Sequence, residues 1–459
     1  MTHQPAADTL PVYLVDEAHW GDQGSDGLEL SPGARAYARA TGFEPKAGRL
    51  LVLPGGESGV EGVLLGVGSD AGLAAAPFAL AKLASELPAG RYRIVGALEN
   101  PDLAYLGFLL GQYRFSRFKS AEVPAVTLVP PEGCDEHTME ETARAVNAGR
   151  DLINLPTNAL GVDDLARVVH RLAETHGCSA REIAGDQLLA QNFPLIHAVG
   201  RAAAVAPRLV EFTWGDARAP KVTLVGKGVV FDTGGLNLKP DNAMLLMKKD
   251  MGGAAAALTA ADILMTLNAP IRLRVIIPIV ENSVSGSSFR PGDVYTSRKG
   301  LSVEIGNTDA EGRLILADAL ALACEDSPDL LIDFATLTGA ARVALGPDLP
   351  PFYTEDEAIA GELSSLGIAI NDPVWRLPLW KPYATMIDSK IADINNAGVG
   401  GFAGSITAAL FLKRFVEEKT SWVHFDIYGW TPSAKPGRPE GGEPQAARLV
   451  VALIRSKYG

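Results

Sequence analysis

The chain has 459 residues, with 54 acidic against 41 basic side chains and a formal charge of −13 at neutral pH. Roughly 150 residues make a domain, so the length allows two or three domains. A composition of 47% hydrophobic and 21% charged residues is that of a globular protein with enough chain to bury a core. The acidic excess disfavours a broad nucleic-acid footprint, which is normally strongly basic, although local basic patches stay compatible with it.

The first residues, Met1-Thr-His-Gln-Pro-Ala-Ala-Asp8, show no basic start followed by an apolar run, so no secretory leader is expected. No stretch approaches the ~18–20 apolar residues of a membrane span. Cys134, Cys178 and Cys324 are far apart and form no CxxC pair, against a disulfide framework or a cysteine zinc site. The expectation is a reduced, cytoplasmic, multi-domain protein with no membrane partner.

Short apolar runs alternate with longer helical patterns, which predicts an α/β architecture. In the first third, strands are expected at 12–15, 49–53, 62–67, 93–97 and 126–129, with helices at 77–86 and 103–113. Pro130-Pro-Glu-Gly133 breaks the pattern, and a helix at 139–152 leads into the turn-rich Asn154-Leu-Pro-Thr-Asn. These features place an N-terminal domain at 1–138, a connecting helix and linker at 139–154, and a second domain at 155–459. An amphipathic helix opens the second domain at 162–176. Strands follow at 221–226, 271–280, 301–305, 330–334 and 422–427, separated by helices at 253–267, 313–324, 355–366, 405–418 and 445–455. The Pro/Gly-rich run 432–444 reads as an ordered surface loop before the last helix.

Three stretches of the second domain gather polar residues where strands should end, and α/β sheets place their ligands at such ends. They are Val225-Gly-Lys-Gly-Val-Val-Phe-Asp-Thr-Gly-Gly-Leu-Asn-Leu-Lys-Pro240, Met247-Lys-Lys-Asp-Met-Gly-Gly-Ala254 and Ile305-Gly-Asn-Thr-Asp-Ala-Glu-Gly-Arg-Leu314. Asp309 and Glu311 are two apart, so in an extended segment both carboxylates leave on one face. Carboxylates that close repel unless a cation or a shared proton offsets them. Asp232 ends an apolar run, and Asp250 precedes a helix start of small residues. Taken singly, each acid reads equally as a helix cap or a solvated surface group. Taken together they would suit two divalent ions, with Mg²⁺, Mn²⁺ and Zn²⁺ all compatible with carboxylate oxygens. Spacing alone decides neither this convergence nor whether Lys227 is a ligand or a cationic partner of the acids.

These segments closely resemble those of the leucyl aminopeptidase, or cytosol aminopeptidase, family of hexameric two-metal exopeptidases. Asn307-Thr-Asp-Ala-Glu-Gly-Arg-Leu314 matches that family's signature octapeptide in full. Gly226-Lys-Gly, Phe231-Asp-Thr-Gly-Gly, Lys239-Pro and Asp250-Met-Gly-Gly-Ala match its other site segments. Asp333-Phe-Ala-Thr-Leu-Thr-Gly-Ala340, Gly400-Gly-Phe-Ala-Gly-Ser405 and Trp422-Val-His-Phe-Asp426 extend the similarity through most of 150–459. The N-terminal part shares the family's length and α/β pattern.

The resemblance implies a smaller N-terminal α/β domain joined by a helix to a larger catalytic α/β domain, whose mixed central sheet is flanked by helices. It implies a metalloaminopeptidase that releases leucine-like N-terminal residues from short peptides with a free N-terminus. Asp232 and Glu311 would bridge two ions (Mn²⁺ or Zn²⁺, with Mg²⁺ as a further candidate), Asp309 would complete one site, and Lys227 and Asp250 the other. A lysine ligand must be neutral, far below its usual pKa of ~10.4. One ion would hold the free α-amine, and both would orient a bridging water toward the scissile carbonyl. Lys239 would stay cationic and stabilise the gem-diolate. Arg313 would hold a bicarbonate that shuttles the proton, a role its planar fork suits; a salt bridge to Glu311 or Asp309 is the alternative. Met247, Asn307, Thr336 and Gly339 would line the side-chain pocket, Met247 as a flexible apolar element. The resemblance also implies a homohexamer whose sites face an interior cavity.

Other features point elsewhere or nowhere. The seven histidines show no ligand spacing and no HExxH, and His424 within its strand reads as a satisfied core residue. Neither Gly286-Ser-Ser nor Gly404-Ser405 fits GxSxG, and no GxxxxGK[ST] loop occurs. Gly66-Val-Gly-Ser-Asp-Ala-Gly72 departs from the dinucleotide fingerprint and reads as a strand-ending turn. The competing functional class is a DNA-binding or regulatory scaffold with secondary peptidase activity. Its one tight basic-aromatic cluster, Arg114-Phe-Ser-Arg-Phe-Lys119, also reads as a helix end, and nucleic acid is disfavoured by the acidic balance.

Overall fold

The computed structural model describes residues 9–18, 20, 28–55, 59–68, 77–120 and 124–459. They form two compact units, one drawn from Met1–Asn147 with Ser433–Glu440, the other from Ala148–Pro432 with Gly441–Gly459. The eight leading residues and positions 69–72 of the glycine-containing turn lie outside the described residues.

The first unit is built on a five-stranded sheet of order β2-β3-β1-β4-β5. Its strands are β1 (Thr9–Asp16), β2 (Leu50–Pro54), β3 (Val60–Gly68), β4 (Gly90–Val95) and β5 (Val126–Leu128). Only β2 runs antiparallel to its neighbour. The helix expected at 103–113 begins two residues earlier, at Pro101, because the Asn100 side chain caps it by accepting from Leu103 N. The stretch 77–86 is two short turns, Ala79–Lys82 and Leu83–Glu86, rather than one helix. An unpredicted helix, Pro32–Ala40, starts on the same signal: Ser31 caps it and proline follows.

The second unit carries a nine-stranded sheet of order β15-β14-β17-β13-β8-β10-β7-β6, with β15 at Trp375–Arg376 and β9 also paired to β10. The strands that position the site are β8 (Lys221–Gly226), β9 (Gly228–Asp232), β10 (Arg272–Asn282), β13 (Leu330–Ala335) and β17 (Trp422–Asp426). These run parallel where they pair. β7 (Arg208–Trp214), β6 (Ala180–Ala184) and β14 (Pro351–Tyr353) add antiparallel pairings, so the sheet is mixed, as expected. Val225, Ile276 and Leu331 share one core cluster with the helices Gly312–Glu325 and Pro194–Gly200. Their sequence neighbours Leu224, Val275 and Ile332 face the other way by the pleat, and the helix Gly252–Thr266 packs along β8 and β13. Helices therefore cover both faces, which explains the near-continuous apolar runs of β8 and β13.

The run 432–444 is only partly a surface loop. Residues 432–436 are exposed, but Gly441–Ala446 are buried. Asn154 Oδ1 accepts from Gly442 N at 2.9 Å, and Glu443 forms a buried ion pair with Arg150 at 2.9 Å. Gly437, at φ +68°, packs its α-carbon directly on the Phe78 ring, which ties Ser433–Glu440 to the first unit. The helix expected at 405–418 is shorter, Gly404–Lys413.

Candidate active site

Small residues bring the site segments together. β8 ends at Gly226, where a Cβ would stand 2.6 Å from Ala254 Cα, and a Cβ on Gly253 would overlap Phe334 O. Without those atoms the helix Gly252–Thr266 begins directly against the ends of β8 and β13. Lys227 N then donates to Phe334 O at 3.0 Å, and Ala254 N to Lys227 O at 2.8 Å. Gly312 of the octapeptide leaves room for the Lys227 side chain, whose Cε a Cβ there would overlap. After Asp232 the chain reverses through Gly234 and Gly235, at φ +88° and +65°, which favours glycine at both positions.

The octapeptide is fastened on both sides. Thr308 Oγ1 donates to Gly234 O at 2.7 Å, Asn237 Oδ1 accepts from Thr308 N at 2.9 Å, and Asn307 Oδ1 accepts from Asp309 N at 2.8 Å. Asn396 accepts from Gly306 N and Asn307 N and donates to Asn307 O. These bonds aim Asp309 and Glu311 toward the ends of β8 and β9.

Seven of the expected residues converge. One oxygen each from Asp232, Asp309 and Glu311 lies within 4.8 Å of the others. Lys227 Nζ stands 2.8 Å from Asp250 Oδ2 and 2.9 Å from Glu311 Oε1, and it donates to Thr336 O at 3.0 Å. Lys239 Nζ stands 2.9 Å from Asp232 Oδ2 and also pairs with Asp309. Asp232 Oδ1 is held by Gly234 N and by Asn282 Nδ2, both at 2.8 Å. Thr336 Oγ1 lies 2.8 Å from Asp250 Oδ1.

Burial and mutual repulsion push the acids up. Glu311 rises to about 8, through burial first and then Asp232. Asp309 rises to about 6 for the same two reasons, and Asp250 is raised mainly by burial. Burial opposes the charge of Lys227, but Asp250, Glu311 and Asp232 outweigh it and hold the ammonium protonated. The same contest raises Lys239, with Asp232 and Glu311 as the leading acids. The cluster therefore has less positive charge than its carboxylates call for, even with two lysines inside it.

The remaining expected residues stand apart from the ion pairs. Arg313 is 8% exposed and donates from one terminal nitrogen to Asn396 O at 2.7 Å, with no salt bridge to Glu311 or Asp309. Its Nε has no partner, and burial pulls its pKa down to about 10, still cationic at neutral pH. Met247 is half-buried on the turn Met247–Met251, three residues before Asp250. Gly339 is exposed at the start of the helix Gly339–Leu345. Buried Lys249 is lowered to about 8, chiefly by desolvation. Asn282, Thr308 and Asn396 escape sequence reasoning: they lie on other segments or next to the charged residues, and only Thr308, inside the octapeptide, had a local signal. His424 is fully buried and only half satisfied: its Nδ1 meets Asp333 Oδ1 at 2.6 Å, and its Nε2 has no partner. The cluster 114–119 follows the end of the helix Pro101–Gly111, with Phe115 and Phe118 edge to face at 6.1 Å.

An oxygen-rich, cation-demanding pocket at the carboxyl ends of parallel strands defines the class: an α/β enzyme centre suited to divalent metal ions. The catalytic domain of the cytosol aminopeptidase family matches residues 147–453, and the N-terminal domain of M17 aminopeptidases matches residues 16–131. A probable cytosol aminopeptidase of Roseiflexus castenholzii is 41% identical over 367 residues, covering 76% of this chain and 75% of its own. One of Rhizobium meliloti is 38% identical over 437 residues, covering 90% and 86%. The crystal structure of the Coxiella burnetii cytosol aminopeptidase superposes with a TM-score of 0.93 at 39% identity, covering 99% of both chains. The bottromycin maturation enzyme BotP in complex with Mn gives 0.88 at 30%, covering 99% of this chain and 100% of its own. The chain belongs to the cytosol aminopeptidase family and is a metallo-aminopeptidase, a hydrolase acting on peptide bonds. The two-domain α/β architecture expected from the sequence is the family's. Among the described residues no helix is long and apolar enough to cross a membrane.

Proposed function

We propose that this chain removes leucine-like N-terminal residues from short peptides, using two divalent ions held by Lys227, Asp232, Asp250, Asp309 and Glu311. The observation that carries the reading is the convergence of Asp232, Asp309 and Glu311 within 4.8 Å, in surroundings that raise the pKa of Asp309 and Glu311. Bound there, the ions would supply Lewis-acid polarisation of the scissile carbonyl and a water of lowered pKa. Lys227 could join them only as a neutral amine, so it would give up the proton its acids now hold on it. Mn²⁺ is the first ion to test, since the similar BotP structure is a complex with Mn; Zn²⁺ suits the same donors.

Lys239 keeps its proton beside Asp232 and Asp309 and offers an ammonium to the carbonyl oxygen as negative charge develops there. Arg313, anchored by Asn396 O with its Nε unpartnered, has donors left for a planar oxyanion, for which bicarbonate is the candidate. Such an anion would accept the attacking water's proton. Met247, Asn307, Thr336 and Gly339 would form the side-chain pocket. We further propose a cytoplasmic homohexamer, in keeping with the family resemblance and the names of the relatives.

The test is hydrolysis of leucyl-p-nitroanilide by the Mn²⁺-loaded protein and by Asp309→Ala, Glu311→Ala and Lys239→Ala. Near-complete loss in all three is expected; turnover like the wild type in all three contradicts the assignment.

A further inference from the structure

Two cations beside this pocket have no acid of their own. Lys249 is 4% exposed, and its Nζ stands 4.7 Å from the centroid of the Tyr428 ring. The guanidinium carbon of Arg342 stands 4.5 Å from the same centroid. Among the described residues neither side chain makes an ion pair or a hydrogen bond. The acids whose fields reach Lys249 are Asp250 and Asp426, and both are engaged elsewhere. Asp426 accepts from Leu337 N, Thr338 N, Thr338 Oγ1 and Ser405 Oγ. Asp250 accepts from Lys227 and Thr336.

The pair adjoins the proposed substrate pocket. The Arg342 NH2 nitrogen lies 3.7 Å from where a Cβ on Gly339 would sit. Gly429, next to Tyr428, packs on Thr336, whose Cγ2 would lie 3.0 Å from a Cβ at 429. An ammonium buried without a counter-charge is costly, and one aromatic face recovers only part of that cost. A ligand bringing an anion to this spot would recover the rest.

We propose that Lys249 and Arg342, spaced by the Tyr428 ring, form a carboxylate-recognising wall of the substrate pocket, so that peptides beginning with glutamate are substrates alongside apolar ones. The inference rests on the reading of Thr336 and Gly339 as pocket residues. The same chemistry could take the main-chain carboxylate of a dipeptide, and the test separates the two sources.

Steady-state kcat/KM is measured for the wild type, Lys249→Met and Arg342→Gln on two matched pairs. One is glutamyl- and glutaminyl-p-nitroanilide, the other leucyl-glycine and leucyl-glycinamide. Ratios within each enzyme cancel any general loss of folded or active protein, and Arg342 is exposed, so its variant is expected to fold. The glutamyl-to-glutaminyl ratio should fall about tenfold in each variant, as for the loss of a charge-assisted hydrogen bond. A fall confined to the leucyl-glycine pair supports the wall and assigns it to the main-chain carboxylate. Both ratios unchanged in both variants, with leucyl turnover present, overturn the wall alone. Absence of leucyl turnover in the wild type overturns the pocket reading on which it rests.

Discussion

Lys227 and Lys239 on one hand, and Lys249 and Arg342 on the other, are cations of one catalytic unit in opposite circumstances. Each of the first two sits between two carboxylates at ion-pair distance. The second two both stand over the ring of one tyrosine and have no acid. Where acids outnumber the lysines, the raised carboxylate pKa values point to a demand for further positive charge, which divalent ions would meet. Where cations stand without acids, the demand is for negative charge. The same strand ends therefore carry a centre suited to metal and a wall suited to a substrate anion.

The largest expected effects are at the acids. Asp309→Ala or Glu311→Ala should lower kcat by about 10³-fold or more, because each loss removes an oxygen from the three-carboxylate set; stopped assays on leucyl-p-nitroanilide read this directly. Lys239→Ala should cost about 10²–10³-fold, mostly in kcat, as for an electrostatic donor that acts on developing charge. A rise in KM alone would instead make Lys239 a substrate-binding residue. Gly312→Ala forces a methyl into the Lys227 side chain and should cost about 1–3 kcal/mol in urea unfolding, along with activity. Asn282→Ala removes one hydrogen bond to Asp232 and should cost about 1–2 kcal/mol while leaving the fold intact.

The charged residues of the site are legible in the sequence because they lie in consecutive motifs at strand ends. Asp309 and Glu311 share one octapeptide, and Asp232 and Asp250 each mark the end of an apolar run or the start of a small-residue helix. The residues that hold them are not legible, since Asn282 and Asn396 reach Asp232 and Asn307 from strands and loops far away in the chain. Lys249 is given no role by the sequence, and only the tertiary structure shows it buried. Among fold elements, β6 has a single buried residue, Ile183, and so no period-two pattern to detect. The helix Pro194–Gly200 spans only seven residues, too few for a helical period. The segment 441–446 looks like loop by its glycines and proline, yet it is buried because Asn154 and Arg150 satisfy its polar groups.

The proposed role of Asp232, Asp250, Asp309 and Glu311 is to hold catalytic metal. Its most direct test couples metal content to turnover: chelation, Mn²⁺ readdition, and kcat/KM on leucyl-p-nitroanilide, with bound metal counted by mass spectrometry in the wild type and Glu311→Ala. Activity lost on chelation and restored with about two ions per chain in the wild type alone is the predicted result. Turnover that survives a metal-free preparation, or that Glu311→Ala retains in full, would contradict it.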